Sequence, residues 1–262
     1  MPCIMIDAWF SSLRYLEIMK HIMRIFIKYD FSNDEFIEIP EYHYNHIVSV
    51  MRLKKDDEII IFNSIAGEYR ASLYIIDKKK IVVRKGEYIR SSSTRENNVR
   101  KSLAIGIIKF DNMKMIVEKI TELGCTDVYP VIMEYSSNLN QFKKDKLEII
   151  SIMSSEQSER MTIPLIHDPI KFSDFMNKYL LKDDTRWFSA IERLDGEEDR
   201  KNFMKFDDER QDIGFIIGPE GGFSSYERDI LMKSTKKISL SKNILRSETA
   251  AISCFSILSY FS

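Results

Sequence analysis

The chain is poor in cysteine, glycine and proline, and it lacks any long apolar run. Three cysteines, Cys3, Cys125 and Cys254, are too few and too far apart for a disulfide framework or a thiolate zinc site. An odd, sparse set suits a reducing compartment. Nine glycines and six prolines exclude collagen-like and linker-dominated chains. No run of about 18 apolar residues occurs, so no membrane span is expected. The N-terminus has neither the basic segment nor the unbroken apolar core of a signal peptide, and a cytoplasmic protein is expected. An excess of one charge is missing too: 39 basic and 40 acidic side chains leave a net charge of −1 over 262 residues. That excludes a polyanion binder working through its whole-chain charge, though not a local basic patch. His21, His43, His46 and His167 form no ligand cluster with cysteine, and no HExxH motif accompanies the i, i+3 pair, so no metal is expected.

What remains is a chain that is 44% hydrophobic, enough for a sizeable core in one large or two medium domains. Residues 1–22 read as a marginal amphipathic helix, a peripheral extension before a functional start at Met23. From Met23 the signals are short and β-like: strands over 24–28, 36–39, 58–63, 68–76 and 80–84, with a helix opened by Pro40 over 41–52. Tightly spaced short strands predict a small barrel. The polar stretch 88–99, with its serine run, reads as the boundary. Beyond it strands over 102–108, 127–132, 187–191, 212–217 and 237–240 alternate with helices over 112–123, 144–157, 224–233 and 247 onward. Such alternation predicts a mostly parallel α/β sheet. Residues 195–212, rich in both charges, read as a solvated surface.

The most informative segment is IGFIIGPEGGFSSYERDIL, residues 213–231. An apolar strand runs into a glycine loop, then Ser224 or Ser225 caps a helix with Glu227 in capping-box position. A strand–glycine loop–helix junction is where α/β proteins bind ligands. It is neither GxGxxG nor a P-loop, and read alone it is also a plain turn. In ISLSKNILRSETAAISCFSIL, residues 238–258, a loop carries Arg246 into an apolar helix capped by Ser247 or Thr249. Arg246 reads either as a surface ion pair or as a cation facing an anionic substrate. Lys109, Lys114 and Lys119 read as a solvated face, and Gln157 with Arg160 as a polar helix end. Arg52, Lys54 and Lys55 form a small basic cluster near Tyr42, Tyr44 and His46. Cations beside stackable rings suit an irregular RNA, although a solvated turn fits equally. No GxSxG, catalytic triad or cysteine–histidine pair is present.

Together these segments resemble the RsmE family of the SPOUT superfamily, methyltransferases that act on a uridine of small-subunit ribosomal RNA. The resemblance runs from Met23 nearly to Ser262. HIVSVMRLKKDDEI, KMIVEKITELGCTDVYPV and SSEQSERMTIP are each similar to family segments, in the family's order. IIGPEGGFSSYE matches IGPEGGFS..E almost letter for letter, and LSKNILRSETAA is similar to LG.RILR.ETA. The last two together are the specific pair.

The resemblance implies a PUA-like small β-barrel that binds RNA over residues 23–95. It implies a SPOUT α/β domain with a deep trefoil knot over 96–262, and a homodimer with the site near the subunit interface. S-adenosyl-L-methionine would lie in the knot, held by Ile217, Gly218, Pro219, Glu220, Gly221 and Gly222. Leu240, Ser241, Asn243, Ile244 and Leu245 would hold its other side, and Ile191 with the loop after it would complete the pocket. The expected reaction methylates N3 of a uridine in 16S ribosomal RNA, within the small subunit. Arg246 would stabilise the deprotonated uracil, and Glu248 or a water would take the proton. His46, Arg52, Lys54, Lys109 and Arg160 would contact RNA. Ser241 and Asn243 stand where the family has Gly and Arg, Tyr135 where it has Arg, and Glu159 where it often has Gly. The alternatives are a SPOUT methyltransferase with another RNA target, a catalytically silent RNA-binding protein of this fold, and an α/β protein binding another small ligand.

Overall fold

The computed structural model describes residues 22–77, 80–91, 99–181, 184–191 and 211–260. The expected extension therefore lies almost wholly outside the described residues, as does most of the charged stretch 195–212 and of the expected boundary. Close contacts divide the chain into two compact units, residues 1–95 and 96–262.

In the first unit, five strands order as β1 (Arg24–Phe26), β3 (Glu58–Asn63), β4 (Gly67–Ile76), β5 (Ile81–Arg90) and β2 (Phe36–Ile39). Apolar residues alternate along them. Ile37 and Ile39 of one edge strand reach the same core as Ile25 of the other, so the sheet wraps around that core. Register shifts between β4 and β5 supply the bends. β5 runs on through Arg90, because Tyr88 and Arg90 pair with Tyr69 and Glu68; a loop starting at residue 88 was expected. The helix opened by Pro40 is wound unevenly, as a 3₁₀ turn at Glu41–His43 and a π turn at His46–Val50.

The second unit is an all-parallel sheet ordered β12 (Lys236–Ile238), β10 (Arg186–Ala190), β11 (Ile213–Ile217), β6 (Lys101–Gly106), β7 (Asp127–Ile132) and β8 (Leu165–Ile166). β9 (Ile170–Lys171) also pairs with β7. Successive β6 residues serve opposite faces, as strand geometry requires. Leu103 and Ile105 pack with Ile116 and Val117 of α1 (Phe110–Glu122), Leu147 of α2 (Lys144–Gln157) and Phe255 of α5 (Ser247–Tyr260). Ala104 packs with Phe172 and Phe175 of α3 (Phe172–Phe175) and with Leu231 of α4 (Ser225–Ser234) on the other face. β8, β9 and α3 were not expected. The two strands have two residues each and carry no alternation to read. No helix among the described residues is long and apolar enough to cross a membrane.

Two helices of this unit end alike. Cys125 N–H donates to Ile120 O and Gly124 N–H to Thr121 O, with Gly124 at φ +94°, which is a Schellman end for α1. At the end of α2, Arg160 N–H donates to Ser155 O, and the left-handed residue is Glu159 at φ +57°. A side chain at that position strains the backbone by about 1 kcal/mol. E159G is therefore expected to raise stability by up to about 1 kcal/mol, read as a higher midpoint in chemical denaturation at unchanged slope.

Candidate functional site

Four parallel strands release their chains toward one end of the sheet, and that end holds a cavity of about 980 Å³. β11 delivers Ile217 and then the loop Gly218, Pro219, Glu220, Gly221 and Gly222. β10 delivers Ile191, and β12 leads into Leu240, Ser241, Asn243, Ile244 and Leu245. Arg246 and Glu248 line the cavity from the start of α5, and Lys109 from the turn after β6. These residues, expected at the site from sequence, are thus brought together. The loop after Ile191 lies outside the described residues. His46, Arg52 and Lys54 are exposed in the first unit.

The glycine loop is shaped by near contacts. Gly222 N–H donates to Pro219 O, and Gly222 sits at φ +75°, where a side chain is disfavoured. A Cβ on Gly221 would lie 2.7 Å from Cβ of Tyr135, so the loop lies flat against that residue. Ser224 is the cap of α4: its backbone N–H and Glu227 carboxylate, and its hydroxyl and Glu227 N–H, form a capping box. The buried Glu227 carboxylate also accepts from Glu134 N–H at 2.9 Å, so one side chain holds both the helix start and the turn after β7.

Across the cavity, Ser247 does not cap α5 through its side chain. The buried hydroxyl donates to Gly218 O at 2.8 Å and ties the loop after β12 to the glycine loop. Ser241 replaces the family's glycine without strain: it has no positive φ, and its hydroxyl accepts from Asn243 N–H at 3.0 Å. The Arg246 side chain is 86% exposed and reaches Glu248 Oε1 only at 3.9 Å, too far for a tight ion pair. The Glu248 side chain is 12% exposed, and its Oε2 is buried with no hydrogen-bond donor among the described residues. Such an acceptor is costly unless a ligand supplies a donor.

Arg160, expected to contact RNA, is engaged within the protein. Its guanidinium donates to the carbonyls of Thr121 and Cys125 at 2.8 and 2.7 Å and to the Thr162 hydroxyl. It clasps the C-terminal end of α1, where a cation offsets the helix dipole and its orphan carbonyls, rather than presenting an open RNA contact. Burial pushes the Cys125 thiol up to about 12 and raises that of Cys254, so neither is a nucleophile. Sequence reading missed Asn112, Arg228 and Ser247, which also line the cavity. Asn112 Nδ2 contacts Glu220 Oε1 at 3.4 Å, a long-range pairing with no sequence signature.

The family profile of an RNA methyltransferase domain matches residues 95–259, and that of an RNA methyltransferase PUA domain matches residues 43–85. Ribosomal RNA small subunit methyltransferase E of Rickettsia conorii is 35% identical over 237 residues, 87% of this chain and 91% of that protein. The protein of that name from Bacillus subtilis is 25% identical over 82% of this chain and 86% of its own length. A methyltransferase of Legionella pneumophila, solved in complex with bound S-adenosylmethionine, superposes with a TM-score of 0.77 at 26% identity, covering 91% of this chain and 97% of that one. Ribosomal RNA small subunit methyltransferase E of Neisseria gonorrhoeae shares the fold at a TM-score of 0.76 and 22% identity, over 92% and 98% of the two chains.

Removing the Glu227 carboxylate deletes its bonds to Ser224 and Glu134. E227A is expected to cost about 2 kcal/mol of stability and to speed hydrogen exchange at the Ser224 and Glu134 amides ahead of the β11 amides.

Proposed function

The chain belongs to the ribosomal RNA small subunit methyltransferase E family of RNA methyltransferases, and from that premise we propose that it methylates N3 of a uridine in 16S ribosomal RNA, using S-adenosyl-L-methionine. The observation that carries the reading at the level of chemistry is the pair Arg246 and Glu248 at the cavity wall: a solvent-facing cation beside a buried, unpartnered carboxylate oxygen.

The cavity fits the cofactor. Its volume is at the upper end for small-molecule sites, and it joins apolar walls from Ile191, Ile217 and Leu245 to the backbone of a glycine loop. Gly218, Gly221 and Gly222 on one side, with Leu240, Ser241, Asn243, Ile244 and Leu245 on the other, would hold it. When bound, it supplies a methyl group on a positively charged sulfur. β12 lies at the sheet edge, while α5, the next element, packs on α1 and β11 in the middle of the sheet. A chain that returns inward past residues 218–222 supports the reading of a trefoil knot there.

This chain's own residues prepare the nucleophile. Uracil N3 is a poor nucleophile until it loses its proton, and the resulting anion must be stabilised at neutral pH. The Arg246 guanidinium would face that anion, and Glu248 or a water would take the N3 proton; the unpartnered Glu248 carboxylate supports that role. Ser247, between them in sequence, anchors the backbone of this segment to Gly218. Lys109 at the rim and the exposed His46, Arg52 and Lys54 would grip the RNA. A homodimer, assembled small subunits as the substrate form and a cytoplasmic location belong to the same reading.

The direct test incubates small subunits from cells lacking the protein with labelled S-adenosyl-L-methionine and digests the RNA to nucleosides. Label in 3-methyluridine is the expected outcome; label in another nucleoside, or none with cofactor binding intact, rejects the assignment. R246A is expected to slow methyl transfer about 100- to 1,000-fold and E248Q about 100-fold, with smaller losses of cofactor affinity in calorimetry. R52E and K54E are expected to weaken RNA binding and to reduce the slope of log affinity against log salt by about 1 per lost phosphate contact. Their cofactor affinity stays native.

A further inference from the structure

The turn after β7 presents an aromatic ring that the reaction described above does not use. Tyr135 is 50% exposed, and it makes no hydrogen bond or ring contact with another described residue. Its Cβ and ring edge lie against Gly221, whose loop lines the cavity. The ring therefore stands beside the site, at the carboxyl end of a strand of the same sheet.

An exposed side chain on a floppy turn would carry little weight, but this turn is pinned from several directions. Met133 N–H donates to the Ser136 hydroxyl at 2.9 Å, and Ser136 N–H donates back to Met133 O at 3.1 Å. The Ser136 hydroxyl reaches Val131 O, and Glu134 N–H donates to the Glu227 carboxylate. Ser137 N–H donates to Ile107 O at 2.7 Å, which seats the turn two residues from Lys109, the cation at the cavity rim. The backbone on both sides of Tyr135 is thus set, while its ring is left in solvent.

A neutral, flat ring on a set turn, whose backbone is bonded two residues from Lys109, matches an unstacked nucleobase joined to a phosphate. Aromatic rings stack on bases of single-stranded or looped RNA, and a ring on a set backbone has only two side-chain torsions to restrict on doing so. We propose that Tyr135 stacks on a nucleobase flanking the target uridine and so helps select the RNA that enters the site. The inference rests on the RNA methyltransferase reading above.

The test uses the full-length protein with a small-subunit RNA fragment that it methylates, carrying 2-aminopurine at positions flanking the target. The variants are Y135F, which keeps the ring, Y135L, which keeps bulk against Gly221 without a ring, and Y135A. Y135L and Y135A are expected to weaken RNA affinity between about fivefold and 100-fold, with cofactor affinity retained. Y135F restores RNA affinity, and 2-aminopurine fluorescence is quenched by the native protein and Y135F but not by Y135L. RNA affinity unchanged in Y135L, with methylation by the native protein intact, overturns the stacking role alone. Cofactor and RNA affinity lost together in Y135L as well as Y135A assigns the ring to supporting Gly221 and also overturns it. If the native protein methylates no small-subunit RNA, this inference falls together with the proposed function.

Discussion

The Ser247 hydroxyl donates to the carbonyl of Gly218, and through that one buried bond two loops far apart in sequence share a wall of the cavity. Gly218 follows β11 in the middle of the sheet, and Ser247 begins a helix reached only after the chain has visited the edge at β12. Ser247 lies between Arg246, whose side chain is on the solvent side, and Glu248, whose side chain is mostly buried. A hydroxyl suits this role because it satisfies a buried carbonyl without bringing a charge into the site.

The surroundings of the glycine loop show the same economy of space. A Cβ on Gly106 would lie 2.5 Å from Cδ of Pro219, so the strand beside β11 must approach the loop with no side chain. Gly214 of β11 lies under the Trp187 ring, where a Cβ would come within 2.3 Å of it. Interiors are close-packed, and such contacts leave the loop few alternative positions. Glu227 then connects this loop to the turn carrying Tyr135, and Arg160 connects the ends of the two helices on the opposite face. Rigid support around a site that must align two reactants is what orientation effects require.

The first unit solves a different problem. Glu68 is buried between Arg24 and Arg90, and burial alone would raise its pKa. The hydrogen bond from Arg90 and the charge of Arg24 outweigh that and hold the carboxyl below its ordinary range. Arg24 also lies over the Phe62 ring, at 4.1 Å from its centroid. The RNA-facing candidates of this unit are instead exposed, where they remain hydrated and available to phosphate.

Sequence alone determined the features that depend on near neighbours. Short β-like segments marked the strands of the first unit, strands alternating with helices marked the second, the Ser224–Glu227 pair marked a helix start, and the glycine run after β11 marked a candidate site. The resemblance to RsmE carried the cofactor and the reaction class, and the family comparisons bear it out. Tertiary structure decided what depends on distant partners. Arg160 reads as a polar helix end, yet it serves carbonyls 39 and 35 residues away. Ser247 reads as a cap, yet its partner is 29 residues away. The isolation of Glu248 Oε2 and the exposure of Tyr135 are visible only once the other loops are in place. Local backbone preferences are written in adjacent residues, whereas the partner of a buried polar group is chosen by whichever segment the packed core brings to it.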